Sequence, residues 1–360
     1  MTGRMKAIEL HEPAGFRLRH DLSIPTPGPG EVRVRVLAAG ICGTDVHICK
    51  GDPSIAEIVE PPIVLGHEFC GTIDALGKDV TNLSVGQYVS AEMHEVCHAC
   101  PACRDGAFHA CANTKIRGVN LDGAFADHVI ISATNIVVLP DTLPHKVGAI
   151  LDPLGNAVHT ACKVPLQDKT AAIVGYGPIG AMCAEVALFV GARHIFILDV
   201  KEQPLERARE WSRRTRSEDR VTVLDARDGD VTDRVIHATE GGVDVSMEIS
   251  GHPDGINNAI RMIRAAGHLV QLGLPRTASV SIDDFSNNII FKGLTIHAII
   301  GREIFATWDR MLELLAKGLD VEHLVTCELP LEEFEHGMTR FGEGLEGKVI
   351  LYPDEACQGG

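Results

Sequence analysis

The chain has 360 residues, 33 Lys+Arg against 49 Asp+Glu for a formal net charge of -16, and 45% hydrophobic residues. Such a length and apolar content describe a globular chain of two-domain size. The negative excess repels a phosphate backbone and an anionic bilayer, so no nucleic-acid partner and no membrane partner is expected.

No apolar run approaches the ~18 residues a bilayer crossing needs. The opening MTGRMKAIELHEPAG interleaves charge and proline with apolar residues and shows no export signal, so a soluble, cytoplasmic protein is expected. Eleven cysteines is an odd count, and a core of this size holds without disulfides. Four of the eleven fall within fifteen residues, which points to a metal in a reducing compartment.

Taken in chain order, residues up to about 140 are rich in Gly and Pro, with short stretches such as Val32-Arg33-Val34-Arg35-Val36 and Gln87-Tyr88-Val89-Ser90. These predict strands with turn punctuation and few helices. From about Lys169 the pattern switches to a strand at Ala171–Val174, a helical series Ile179, Cys183, Val186, Val190, and a strand at Ile195–Leu198. The alternation continues through Val221–Leu224, Val243–Ile249, a helical series Ile256, Ile260, Ile263, then His268–Leu272 and Leu294–Ile300. A doubly wound parallel α/β sheet accounts for all of it. Ile304, Trp308, Met311 and Leu315 predict one more amphipathic helix, and Lys348–Leu351 a strand that belongs with the first domain.

Gly175-Tyr176-Gly177-Pro178-Ile179-Gly180 fits GxGxxG between a predicted strand and a predicted helix, with Asp199 at the end of the next strand. In that context the first Gly makes the tight turn, the second admits a pyrophosphate, and the third lets helix pack on strand. Helix N-terminal amides then face the phosphates, and Pro178 suits the first helical turn. Asp199 would accept hydrogen bonds from the adenosine ribose and repel a 2′-phosphate, which favours NAD over NADP.

Cys97-x2-Cys100-x2-Cys103-x7-Cys111 can close a tetrahedron around one Zn²⁺. Four protein ligands leave no open position, so this zinc is structural. An iron–sulfur cluster usually draws its fourth cysteine from farther away, and a zinc ribbon splits its cysteines into two distant pairs in a basic setting. A second set, Cys42 in Ala39–His47 and Gly66-His67-Glu68, supplies zinc-ligand types beside glycines ahead of the dinucleotide fold. Catalytic zinc takes three protein ligands and keeps a fourth place open; Cys42 and His67 suit it, with Glu68 or Asp152 as the carboxylate.

Together these segments resemble the zinc-dependent medium-chain alcohol dehydrogenase family over nearly the whole chain. The resemblance implies a β-rich, GroES-like catalytic domain at 1–155 and 300–360, with its structural zinc lobe at about 94–115. It implies an NAD-binding Rossmann domain at 156–299, one catalytic and one structural zinc per chain, and commonly a homotetramer. Cys42, His67 and Glu68 match the catalytic-zinc positions, Asp152 a carboxylate that assists or exchanges as ligand, and Thr44 and His47 the proton relay. Gly175, Gly177, Pro178, Ile179, Gly180 and Asp199 match the cofactor turn and ribose, while Leu272-Gly273-Leu274 and Ile299-Ile300 match the stretches lining the nicotinamide.

Within the family, Ile41–Ile48, Asp152–Ala161, Phe291–Leu294 and Gly301–Phe305 resemble the enzymes acting on L-threonine, which implies oxidation of that secondary alcohol to 2-amino-3-oxobutanoate. The stretch Ile48–Ile58 departs from them: it lacks the tryptophans usual there, which keeps a polyol, cyclitol or other secondary alcohol as the alternative substrate. Pro204 replaces a usual Arg near the adenine, with Arg207 close by, and Trp211–Arg220 predicts a solvated helix end. His94 is a second-tier candidate for the substrate cleft. A catalytically silent binding protein on the same fold is the alternative from another class.

Overall fold

A computed structural model describes residues 3–354 apart from 13–14, 53–54 and 56–57. The chain divides into two units, Met1–Pro153 with Glu322–Gly360, and Leu154–Val321. The second unit therefore includes residues 300–321, which sequence reading had grouped with the C-terminal return. Its helix Ala306–Ala316 buries Trp308, Met311 and Leu314.

The first unit begins with β1 (Arg4–Glu12), β2 (Gly15–Ser23), β3 (Glu31–Gly40), β4 (Ile63–Val64) and β5 (Glu68–Leu76). It continues with β6 (Tyr88–Ala91), β7 (His94–Glu95), β8 (Lys115–Ile116), β9 (His128–Ser132) and β10 (Ile136–Val138). β3 shows why such a sequence becomes a strand. Val32, Val34 and Val36 are buried while Arg33 and Arg35 point the other way, and from Leu37 to Gly40 every residue is buried. Val34, Ile73 and Phe125 belong to one core cluster under this sheet.

The second unit holds β11 (Thr170–Val174), β12 (His194–Asp199), β13 (Val221–Asp225), β14 (Val243–Glu248), β15 (Ile263–Gln271) and β16 (Thr295–Ala298). They pair in parallel in the order β13-β12-β11-β14-β15-β16. This is the strand order of dinucleotide-binding sheets, with its switch point at the carboxyl ends of β11 and β14. All five residues of β11 are buried, as a central parallel strand requires. One sequence expectation is corrected: Ile263 does not extend the helix Pro253–Arg261 but opens β15, where it pairs with Val243. Its apolar side chain fits either period, and the sheet pairing decides.

The chain then returns to the first unit through β17 (Val325–Pro330) and β18 (Lys348–Tyr352). β18 enters the larger sheet, in the order β10-β6-β5-β3-β18-β17 with β9 also on β3. Gly40 faces Glu68 across the β3–β5 pair and Ile350 across the β18–β3 pair. The ends of β3 and β5 thereby meet the middle of β18, from far along the sequence, at one place.

Candidate active site

Cys42 follows the end of β3, His67 precedes β5, and Glu68 opens it. One donor atom from each lies within 4.8 Å of the others. Space for the carboxylate depends on Gly40, because a Cβ there would stand 2.4 Å from Glu68 Oε2. Glu68 is fully buried; its Oε1 has no hydrogen-bond partner among the described residues, while Oε2 accepts from Lys348 Nζ. Lys348 Nζ also donates to the carbonyl of Ile41 at 2.6 Å, next to Cys42.

Asp45 is equally buried and serves two neighbours. Its Oδ2 accepts from the Cys42 amide at 2.9 Å, and its Oδ1 lies 3.5 Å from His67 Nδ1. At that distance the carboxylate attracts the ring without a formal hydrogen bond, on the side from which a carboxylate usually supports a metal-binding histidine. Burial opposes a charge on His67, but the Asp45 and Cys42 charges outweigh it and raise the imidazole well above its ordinary value. Burial pushes the Glu68 carboxyl up, against the pull of Lys348 and His67 and with the push of Asp152. A buried acid and imidazole beside a partly exposed thiol form a donor set suited to a divalent cation.

Asp152 is 8% exposed and groups with Glu92 and His94, again with donor atoms within 4.8 Å. Glu92 Oε1 contacts His94 Nδ1 at 2.6 Å and accepts from the His94 amide at 3.1 Å. Thr44 Oγ1 is 3.8 Å from Cys42 Sγ, and His47 Nδ1 lies 3.0 Å from Asp52 Oδ2. The His47 side chain is 39% exposed and so reaches water. Of the departing stretch 48–58, residues 53–54 and 56–57 lie outside the described residues.

Cys97, Cys100, Cys103 and Cys111 also bring their sulfurs within 4.8 Å of one another. The Cys111–Cys97 sulfur pair is 3.5 Å apart, close to the edge of a tetrahedron with ~2.3 Å metal–sulfur bonds. Hydrogen bonds from the Asn113 side chain and from backbone amides bring the Cys97 thiol down to about 5, whereas burial pushes Cys103 up to about 12. Backbone hydrogen bonds lower Cys100 as well, so Cys97 and Cys100 form a lowered rim over the buried Cys103 and Cys111.

In the second unit Gly175 has φ 98°, and a Cβ there would meet the Ser250 amide at 2.9 Å. At Gly180 a Cβ would stand 2.1 Å from the Gly175 carbonyl oxygen, while at Gly177 it would meet nothing within 4 Å. The loop is closed on the protein side and open where a pyrophosphate would lie, at the N-terminus of the helix Pro178–Phe189 with Ile179 in its first turn. Asp199 Oδ2 accepts from the Tyr176 amide at 2.7 Å and Oδ1 from the Val200 and Lys201 amides at 2.8 and 2.9 Å. Leu272, Gly273 and the exposed Leu274 follow β15; Ile299, buried, bonds Gln271 through its amide at 2.8 Å, and Ile300 is exposed. Sequence reasoning missed Asp45, Glu92 and Lys348. The one signal for Lys348 is a lysine heading an otherwise apolar strand.

The model of the alcohol dehydrogenase GroES-like domain matches residues 28–141, and that of the zinc-binding dehydrogenases residues 178–317. An L-threonine 3-dehydrogenase of Ruegeria pomeroyi is 40% identical over 347 residues, 96% of this chain and 99% of the relative. Another, of Bacillus velezensis, is 40% identical over 358 residues, 98% of this chain and 100% of the relative. Among solved structures, 2R,3R-butanediol dehydrogenase of Bacillus subtilis matches with a TM-score of 0.85 at 28% identity, covering 97% of this chain and 100% of that one. A zinc-binding dehydrogenase of Sinorhizobium meliloti 1021, bound to NADP, matches with a TM-score of 0.86 at 28% identity, covering 98% and 100%. The dinucleotide fold and the two donor sets fit NAD and two zinc ions, and with relatives of this identity along nearly the full length, the chain belongs to the zinc-binding alcohol dehydrogenase family.

Proposed function

We propose that the protein oxidises L-threonine at its secondary hydroxyl to 2-amino-3-oxobutanoate with NAD. The observation that carries the chemistry is the Cys42, His67 and Glu68 set, with its imidazole and carboxylate buried and Thr44 beside the thiol. The substrate follows from the two curated relatives of that name. When bound, zinc supplies the positive charge that makes an alcohol acidic, and NAD accepts the hydride.

The chain's own part is positional and protonic. Cys42, His67 and Glu68 hold the metal; Asp45 keeps His67 turned, and Lys348 occupies one oxygen of Glu68. Thr44 Oγ1 accepts the hydroxyl proton and gives up its own. His47, anchored through Nδ1 by Asp52 and partly exposed, exchanges that proton with water at Nε2. Asp152, with Glu92 and His94, supplies the adjoining carboxylate. Gly175, Gly177 and Gly180 receive the pyrophosphate and Asp199 the ribose. Cys97, Cys100, Cys103 and Cys111 brace their loop around the second zinc.

NADH formation by the zinc-replete protein, with L-threonine, D-threonine, sorbitol, inositol and 2,3-butanediol in parallel and with NAD beside NADP, tests this. Selective turnover of L-threonine with NAD is expected. Turnover of a polyol, cyclitol or diol alone would transfer the same mechanism to another secondary alcohol. The aromatic-free stretch Ile48–Ile58 and the likeness to a butanediol dehydrogenase favour that second reading.

We also propose a homo-oligomer, a tetramer by family resemblance, with one contact at β16, where a second copy can extend the sheet. β16 ends the sheet, and Ile290, Phe291 and Ile296 around it are 61%, 78% and 51% exposed. Light scattering of the purified protein tests it, and a monomer would overturn it. No helix among the described residues is long and apolar enough to cross a membrane, and no disulfide joins the described cysteines. The thiols support a cytoplasmic location.

A further inference from the structure

The carboxylate of Glu248, at the carboxyl end of β14, is fully buried, yet none of its hydrogen-bond donors is a cation. Its Oε1 accepts from the Ser250 amide at 2.9 Å, from Ser250 Oγ, and from the Gly251 amide at 3.1 Å. Its Oε2 accepts from the same Gly251 amide at 3.1 Å and from Gln271 Nε2 at 2.6 Å. A buried carboxylate is unfavourable unless such donors surround it, so they and the charge fix one another.

What the carboxylate joins is the point of interest. Ser250 and Gly251 form the turn after β14, and Gln271 ends β15, just before Leu272-Gly273-Leu274. The Glu248 carbonyl accepts from the Leu272 and Gly273 amides at 2.9 and 3.0 Å, and Gln271 Nε2 also reaches the Gly273 carbonyl at 2.8 Å. The same turn closes on the fingerprint loop, because a Cβ at Gly175 would collide with Ser250. A Cβ at Gly273 would lie 2.3 Å from the Gly251 amide and 2.5 Å from Glu248 Oε2. Two backbone turns at the carboxyl edge of the sheet, where such folds take their ligand, therefore converge on one side chain, and the fingerprint loop packs on the first of them.

We propose that Glu248 is a positioning residue for the dinucleotide, which presets the turns after β14 and β15 in the shape that receives the nicotinamide half of NAD. This rests on the reading that this edge binds NAD. Because every contact is a donor, glutamine cannot replace it: whichever way the amide turns, an N–H faces an N–H.

The test is Glu248→Gln in the zinc-replete full chain, read by NADH fluorescence titration, by KM for NAD and for the alcohol separately, by zinc content and by melting temperature. The dissociation constant for NADH and the KM for NAD are expected to rise roughly tenfold, the consequence of one buried donor left unmet. KM for the alcohol and zinc content stay as in the wild type. If Glu248→Gln does not fold, Ser250→Ala carries the same test, with a rise of roughly threefold, since it removes the hydroxyl's bond to Glu248 together with the one accepted from the His252 amide. NADH affinity and KM for NAD equal to the wild type, with only a lower melting temperature, would overturn the proposal and leave the NAD edge intact. Wild-type protein that binds no dinucleotide would overturn both.

Discussion

The two candidate zinc sites of the first unit are built on opposite plans. The lobe draws Cys97, Cys100, Cys103 and Cys111 from one short stretch, and its charges are met by local amides and by Asn113. The other set gathers Cys42, His67 and Glu68 from strand ends, and its buried carboxylate is met by Lys348, 280 residues downstream. A site made of neighbouring thiols needs only its own loop and can act as a brace. One that must leave a position open depends on the sheet to hold its ligands, and the sheet also provides the counter-charge.

The comparison breaks most visibly at Cys42. Cys42→Ala is expected to lower turnover by about 10³-fold or more while leaving the melting temperature near the wild-type value. Unchanged turnover would remove the assigned centre. Next in size, Lys348→Met leaves Glu68 buried without its cation and is expected to destabilise the protein by about 3–5 kcal/mol in urea unfolding. The double change with Glu68→Gln should recover much of that loss, and strict additivity would show that the pair is not coupled.

Chelation separates the sites by rate. Dialysis against a chelator should remove the zinc of the open site first, so that activity falls with about one metal lost per chain while the melting curve holds, and added zinc restores turnover. Loss of the lobe zinc first, read as an early drop in melting temperature, would reverse the assignment of brace and centre. The smallest effect is expected from Asn113→Ala, which removes one N–H to Cys97 sulfur contact. About 0.5–1.5 kcal/mol of stability should go, with turnover unchanged.

What could be read from sequence divides along the same line. The lobe was legible because all four candidate ligands and their spacing lie in one window. The Gly175 loop was legible because turn, helix start and Asp199 follow a fixed order along the chain. Ile263 was misread because one isoleucine fits a helical series as well as a strand start, and pairing with Val243 settles it. Asp45 and Glu92 act on rings through side-chain geometry that spacing does not encode. Lys348 and Glu248 share a fainter mark, a charge inside an apolar strand, which only burial turns into a statement about partners.

The pairing of Lys348 with Glu68 also has a consequence during synthesis. When a ribosome has passed residue 152, every candidate zinc donor has been made, but the cation that balances Glu68 has not. At ~5–20 residues per second, the 196 residues from Asp152 to Lys348 take roughly 10–40 s. For that interval the nascent chain carries the four-cysteine loop complete and the reaction centre unbalanced, so the brace can take its metal well before the centre has its final charge.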